Sequence, residues 1–369
     1  MKEITLEAGT GVCRIIANEK FGNLAKYCGE GKVVLVADAN AAKLHGGKLA
    51  ESGAEIIEIS PSEAAKSMET AMGLFRKFLG LELDRSAIIV GVGGGIVCDI
   101  AGFAAATYLR GLGVGFVPTT LLAMVDASIG GKNGVNLGGY KNLIGTTRQP
   151  GFVLIDFDFL ETLPESELGN GLAEMIKHAA ISGGEKFDYL EKNIGALISP
   201  AKASPAMLEK LISDSIEVKT SIVGKDELEG GERMKLNFGH TVGHALEKAA
   251  GIPHGNGVSI GMAVALKISV SRGLLNEPDA CRIINLLEKA GLPAKANFDK
   301  ALVFDAIRKD KKRRNGACRM VLLNGIGKPV IEKIELGEIE TALEDIEKQD
   351  YIKPRKSFSI KRGLIDSKR

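Results

Sequence analysis

The sequence predicts two domains, a parallel-sheet α/β half followed by a mainly helical half. Three observations carry this reading. The chain has 369 residues, 45% hydrophobic and 25% charged, which is more than one small core organises. From Lys32 to Phe157, short β-branched runs alternate with helical patterns, as in a βα-repeating sheet. Beyond Leu163-Pro164, apolar residues recur at helical spacing instead.

In chain order, the expected strands are KVVLVAD, AEIIEIS, AIIVGVG, VGFVPTT and GFVLIDF, with helices such as Pro61–Leu79 and Ile96–Leu109 between them. The second half predicts helices near Glu165–Ile181, Ala203–Ile222, Phe238–Ala250, Val258–Arg272 and Pro278–Ala290. In ACRMVLLNGIGKPVIEKI two apolar runs flank Asn-Gly, a hairpin signal, ahead of a last helix near Gly337–Lys348. The expected divisions are 1–164, 165–350 and a basic tail, 351–369, with seven basic residues against one acidic. The tail reads as a frayed, solvated, disordered end, with a polyanion-binding segment as the alternative.

A net charge of +2 gives no general electrostatic reason to propose nucleic acid or a membrane surface as partner. Five scattered cysteines without a C-x-x-C pair read as reduced thiols. The start, MKEITLEAGT, lacks a signal pattern, and no apolar run reaches the ~18 residues of a span. The expectation is a cytoplasmic protein acting on small molecules.

Chemistry concentrates in three places. AIIVGVGGGIVCDIAGF reads as strand, glycines, then a helix from about Ile96, so free backbone N–H groups would meet a phosphate. Ile96 stands where a G-x-G-x-x-G pattern has its third glycine, and Asp38 precedes the loop rather than following it. Asp38 therefore reads equally as a ribose ligand or as a helix N-cap.

Three of the five histidines, His240, His244 and His254, fall in NFGHTVGHALEKAAGIPHG. Helical spacing alone favours the His240–His244 pair as metal ligands, with His254 returning from a loop. Glu174, on the apolar stretch GLAEMIKHA, offers a carboxylate or else pairs with Lys177. A mixed N/O set without sulfur suits a catalytic divalent cation. Arg110, Lys132, Lys141, Asn142, Lys219, Arg233 and Asn237 add cationic and amide groups, several in glycine-rich loops such as SIGGKNGVNLGGYKNLIG. They suit a substrate carrying phosphate and carboxylate.

Together GGGIVCDIAGFAAATYLRG, VPTTLLAMVDASIGGKNGVN, YKNLIG, GLAEMIK, KDELEGGERMKLNFGHTVGHALE, PHGNGVSIGM and KDKK resemble the 3-dehydroquinate synthase family of sugar-phosphate cyclases, from Asp38 to about Gly327. The resemblance implies a Rossmann-like NAD-binding domain without the usual motif order, and a mainly α-helical metal-binding domain. It implies NAD and one divalent metal, Zn or Co, held by Glu174, His240 and His254. His244 is then an acid–base residue rather than a ligand, with Glu229 as a second proton carrier and Lys177 and Lys219 in the catalytic set.

The implied substrate contacts are Arg110, Asp126, Lys132, Asn142, Lys177, Lys219, Arg233, Asn237 and Lys311 or Lys312. The implied NAD contacts are Asp38, Asn40, Glu63, Lys66, Gly94, Gly95, Ile96, Asp99, Thr119, Thr120, Lys141, Phe159, Thr162 and Asn170. Departures from the family pattern at Ala127, Asn133, Thr146 and Thr147 bear on fine substrate preference.

The implied reaction takes 3-deoxy-arabino-heptulosonate 7-phosphate to 3-dehydroquinate and phosphate through transient oxidation by NAD, elimination, reduction and aldol closure. A homodimer follows by family analogy. The alternatives are another sugar-phosphate cyclase and an iron-type, metal-dependent polyol dehydrogenase, the latter disfavoured by Lys132, Lys219 and Arg233.

Overall fold

The structure, a computed structural model, describes residues 1–295, 300–313 and 318–347. Its first half is a seven-stranded sheet. β1 (Lys2–Ala8) and β2 (Gly11–Ala17) form an antiparallel hairpin ahead of the expected strands. Then come β3 (Val33–Asp38), α1 (Ala39–Ala50), β4 (Glu55–Ile59), α2 (Met68–Gly80), β5 (Ile88–Gly93), α3 (Gly95–Thr107) and β6 (Gly113–Pro118). A second hairpin, β7 (Lys132–Leu137) and β8 (Tyr140–Thr147), precedes β9 (Phe152–Ile155). The sheet order is β1-β2-β9-β6-β5-β3-β4, parallel except at β1–β2.

The inner strands β3, β5 and β6 are buried along nearly their whole length. Both faces are covered, so their sequences are unbroken apolar runs rather than alternating ones. β4 and β5 flank β3 on opposite sides, which opens a crevice at the carboxyl ends of β3 and β5. Asp38 and the glycine loop meet there. A Cβ on Gly93 would stand 2.9 Å from that of Asp38 and 2.8 Å from that of Val97. Glycine is what lets the loop lie against Asp38.

Two expectations need correction in this half. The helix expected over Pro61–Leu79 begins only at Met68, where Ser67 caps it by accepting from Thr70 N, with a short 3₁₀ turn at Glu63–Ala65 before it. The glycine-rich segment expected as loops is the β7–β8 hairpin, closed by Gly138 and Gly139 at φ 58° and 77°. Two successive left-handed residues make the tight turn that matches strand twist.

The second half contains α4 (Glu165–Ser182), α5 (Gly184–Ile198), α6 (Pro205–Lys225), α7 (His240–Ala250), α8 (His254–Ser271) and α9 (Glu277–Lys289). After these come α10 (Lys300–Arg313), the hairpin β10 (Cys318–Leu323) and β11 (Pro329–Ile334), and α11 (Leu336–Glu347). α5 and α10 were not among the expected helices. α8 starts a turn earlier than its apolar pattern suggests, so His254 opens a helix rather than sitting in a loop. α6 packs along β1, and one buried apolar cluster runs through both halves. No helix among the described residues is long and apolar enough to cross a membrane. The tail 351–369 lies outside the described residues.

Candidate metal and nucleotide site

α4, α7 and α8 bring the acidic and imidazole groups together. Glu174 Oε1 lies 3.3 Å from His240 Nε2 and 3.2 Å from His254 Nε2. A tetrahedral ion with bonds of about 2.0–2.2 Å separates its ligand atoms by roughly 3.3 Å, so these three groups fit one small divalent cation. Glu174 is fully buried, and its other oxygen is ion-paired with Lys177 one turn on. The salt bridge posed by the sequence is thus present, and it leaves the oxygen that faces the two imidazoles free of Lys177. Burial pushes the Glu174 carboxyl up, but Lys177, His240 and His254 outweigh it and hold it well below the usual range.

Close helix packing makes this convergence possible. A Cβ on Gly261 would lie 1.9 Å from Gly239 O, and one on Gly243 would lie 2.9 Å from Gly257 O. The bare backbones let α7 and α8 touch, and each helix begins with its histidine. Pro253 gives α8 no side-chain cap; Asn170 of α4 supplies one, its Oδ1 accepting from Gly255 N at 2.7 Å. His254 Nδ1 meets Glu247 Oε1 at 2.9 Å, and burial notwithstanding, Glu174 and Glu247 raise this imidazole to about 10.

His244 lies beside the triad, its ring 5.1 Å from that of His240 and 6.4 Å from that of His254. It is exposed, and the desolvating cleft together with His240 pushes its pKa below the ordinary value. Glu229 is also held low, because Lys132 and Asn237 Nδ2 (2.6 Å) bind its carboxylate and outweigh burial. It sits at φ 64° in a turn that Asp226 pins by accepting from the N–H groups of Gly230, Gly231 and Arg233 at 2.7–2.9 Å. Glu227 ties the same turn to the first hairpin, accepting from Thr10 N at 2.9 Å, and to the segment between β8 and β9, accepting from Gln149 Nε2 at 2.8 Å.

Buried cations line the space between. Lys219 donates to Asp126 O at 2.5 Å and pairs with the Asp126 carboxylate; burial lowers its pKa while Asp126 opposes. Arg233 donates to Gly130 O at 3.1 Å. A carboxylate oxygen of Asp126, one of Glu174 and a ring nitrogen of His178 lie within 4.8 Å of one another. This second group already holds its cations, the ammonium groups of Lys219 and Lys177. His178 is wholly buried, with Nδ1 2.8 Å from Ser215 Oγ, and burial and then Lys177 push it down to about 3.

The nucleotide crevice adjoins this cluster, since a Cβ on Gly95 would stand 2.9 Å from that of Ala127, next to Asp126. Gly94, Gly95 and Ile96 are partly exposed at the start of α3, between buried neighbours. Thr119 donates its N–H to Gly93 O, and Thr120 lies against Gly94. Lys66 bridges Asp99 and Asn142, joining α3 to the second hairpin, while Glu63 accepts from Asn136 at 2.7 Å. Asp38 Oδ1 accepts from Asn40 N (2.7 Å) and Ala41 N (3.3 Å), so Asp38 is the N-cap of α1. Thr162 Oγ1 lies 2.8 Å from His45 Nε2.

The structure places the remaining residues as follows. Arg110 ends the 3₁₀ turn Tyr108–Arg110 that follows α3, at φ 67°. Phe159 is 1% exposed, its ring packed by Phe21, His45 and Lys48. The Asn170 amide oxygen is spent on α8. Asn133 points into the fold, donating to Gly131 O (2.8 Å) and Arg148 O (3.1 Å) against α3. Lys311 and Lys312 lie on α10 by their backbone, their side chains outside the described part. Sequence reading missed Glu247, although its position seven residues after His240 puts it on the same helix face. Nothing in the sequence pattern marks Glu227 or the capping role of Asn170.

The sequence profile described as 3-dehydroquinate synthase N-terminal matches residues 56–170, and that described as 3-dehydroquinate synthase C-terminal matches residues 171–313. The 3-dehydroquinate synthase of Acetivibrio thermocellus is 40% identical over 301 residues, 79% of this chain and 83% of that protein. The chain belongs to the 3-dehydroquinate synthase family. Its structure is similar to that of the 2-epi-5-epi-valiolone synthase of Streptomyces hygroscopicus, solved with NAD+ and Zn2+, at TM-score 0.83 and 31% identity over 95% of this chain and 99% of that one. A 2-deoxy-scyllo-inosose synthase solved with carbaglucose-6-phosphate, NAD+ and Co2+ matches at TM-score 0.84 and 27% identity, covering 93% of this chain and 100% of that one. The 3-dehydroquinate synthase fold is thus shared with cyclases that hold both a nucleotide and a metal.

Proposed function

We propose that the chain is a 3-dehydroquinate synthase, a lyase converting 3-deoxy-arabino-heptulosonate 7-phosphate to 3-dehydroquinate and inorganic phosphate, with NAD and one zinc or cobalt ion. The observation that carries this reading is the convergence of Glu174, His240 and His254 with the buried cations Lys177, Lys219 and Arg233, next to the partly exposed start of α3. In this reading the sheet half holds NAD, the helical half holds the metal, and two copies pair as a homodimer by family analogy.

When bound, the metal acidifies a substrate hydroxyl and the nicotinamide takes up and later returns one hydride, so the chemistry is redox-neutral overall. The protein's own groups do the rest. Lys132, Asn142 and Arg233 hold the phosphate, and Lys219 with Asp126 orients the carboxylate-bearing end. His244, uncharged at neutral pH because its pKa is depressed, takes a proton at a ring nitrogen, and the ionised Glu229 serves as the second acceptor. Burial of Glu174, Lys177 and Lys219 keeps water from the charges that define the site.

A polyol dehydrogenase is the weaker reading, because the cationic set Lys132, Lys219 and Arg233 suits an anionic substrate and a neutral polyol does not require it. Among cyclases, a substrate panel decides. Purified protein with NAD+ and Zn2+ or Co2+ is expected to turn over the seven-carbon keto-acid phosphate and to leave sedoheptulose 7-phosphate and glucose 6-phosphate unchanged. Preference for either of the latter overturns the substrate assignment.

A further inference from the structure

We infer that Glu247 is the positioning carboxylate of the metal site, fixing His254 as an Nε2 ligand and tying the β7–β8 hairpin to it. The inference rests on reading Glu174, His240 and His254 as the metal ligands. Glu247 belongs to none of the substrate or nucleotide contacts proposed above. It lies on α7, one turn after His244, with its side chain 12% exposed. Its Cγ packs against Gly257, where a Cβ would approach to 3.2 Å, so α8 itself holds the stem in place.

The two ring nitrogens of His254 face different groups. Nε2 looks at Glu174 Oε1 from 3.2 Å, and Nδ1 looks at Glu247 Oε1 from 2.9 Å. A neutral imidazole that offers the Nε2 lone pair to a cation must carry its proton on Nδ1. That N–H points at Glu247. Without this acceptor, the competing tautomer donates from Nε2 to Glu174, consuming the lone pair and masking a ligand oxygen in one contact. Glu247 therefore selects the tautomer that can ligate, as outer carboxylates do for metal-bound histidines. Its second oxygen lies 3.4 Å from Lys141 Nζ on β8, so the same carboxylate links the metal to the hairpin that carries Lys132 and Asn142.

Zinc affinity of the purified full-length protein, measured by competition with a chelator, tests this without relying on turnover. Glu247→Ala is expected to weaken zinc binding about 10–100-fold, the range found for lost outer partners. Glu247→Gln, whose amide oxygen still accepts from Nδ1–H, should recover most of that loss. In the Co2+-loaded protein, Glu247→Ala should change the visible absorption spectrum, which a merely structural side chain would leave alone. His240→Ala is the control for the ligands. If His240→Ala weakens zinc binding and Glu247→Ala does not, the inference falls and the metal reading stands. If neither does, the metal reading falls first. Amide exchange over residues 132–147 should speed up in Lys141→Met and in Glu247→Gln, and unchanged exchange in both overturns the link to the hairpin.

Discussion

His240, His244 and His254 crowd within 6.4 Å of one another, centroid to centroid, and what separates their roles is the groups each one faces. His240 and His254 share Glu174, whereas His244 lies exposed beside them, with a ring nitrogen within 4.8 Å of a Glu247 carboxylate oxygen. His254→Ala should therefore lose zinc on gel filtration. His244→Ala should retain it at one ion per chain while turnover falls about 10²–10⁴-fold, the usual worth of an acid–base group. Equal metal loss in both variants would contradict the division. His178 offers a test of the buried cluster by pH. Its folded pKa, about 3, lies below the ordinary 6.5, so between these values the unfolded chain binds the proton and the native protein does not. Stability from this group is complete above pH 6.5 and is lost on acidification, at up to about 1.4 kcal/mol per pH unit. Urea unfolding at pH 6.5 and 5.0 should show the wild type losing about 2 kcal/mol more than His178→Asn. An identical acid dependence would show that His178 carries no such penalty.

At the scale of elements, α8 depends on a residue from another helix. Asn170→Ala removes the one side-chain oxygen that, among the described residues, accepts from the first turn of α8, at Gly255 N, and should cost about 1–2 kcal/mol in thermal or urea unfolding. Because His254 opens that helix, zinc retention should weaken in the same variant, and full retention would separate the cap from the site. These dependences also explain what could be read from sequence. Strands such as KVVLVAD and AIIVGVG were legible because burial on both faces writes them as unbroken apolar runs. The first hairpin was passed over although Ile4 and Leu6 alternate with polar residues, and the second was hidden by its glycines and asparagines. The early start of α8 was illegible because its cap lies 85 positions away in sequence.

Across the whole molecule, the reversal of strand order at β3 sets Asp38 beside Gly93, and the π-helical turn Ala123–Ala127 after β6 carries Asp126 from the crevice toward α4. Periodicity along the chain indicated two halves with a metal near the histidines. Which three groups converge depends on contacts between α4, α7 and α8, which helical spacing does not encode, and on its own that spacing favoured His244 over His254. The family resemblance named Glu174, His240 and His254, and the Glu174 oxygen lies from each imidazole nitrogen at the separation of two ligands on one ion, with all three ligand atoms within 4.8 Å of one another. The central claim is that this arrangement runs a redox-neutral elimination and ring closure. Its most direct test follows phosphate and NADH together in one reaction containing the protein, NAD+, Zn2+ or Co2+ and 3-deoxy-arabino-heptulosonate 7-phosphate. The account predicts one phosphate released per substrate consumed, with no NADH accumulating. NADH rising in step with substrate loss, or no phosphate released at all, would contradict it.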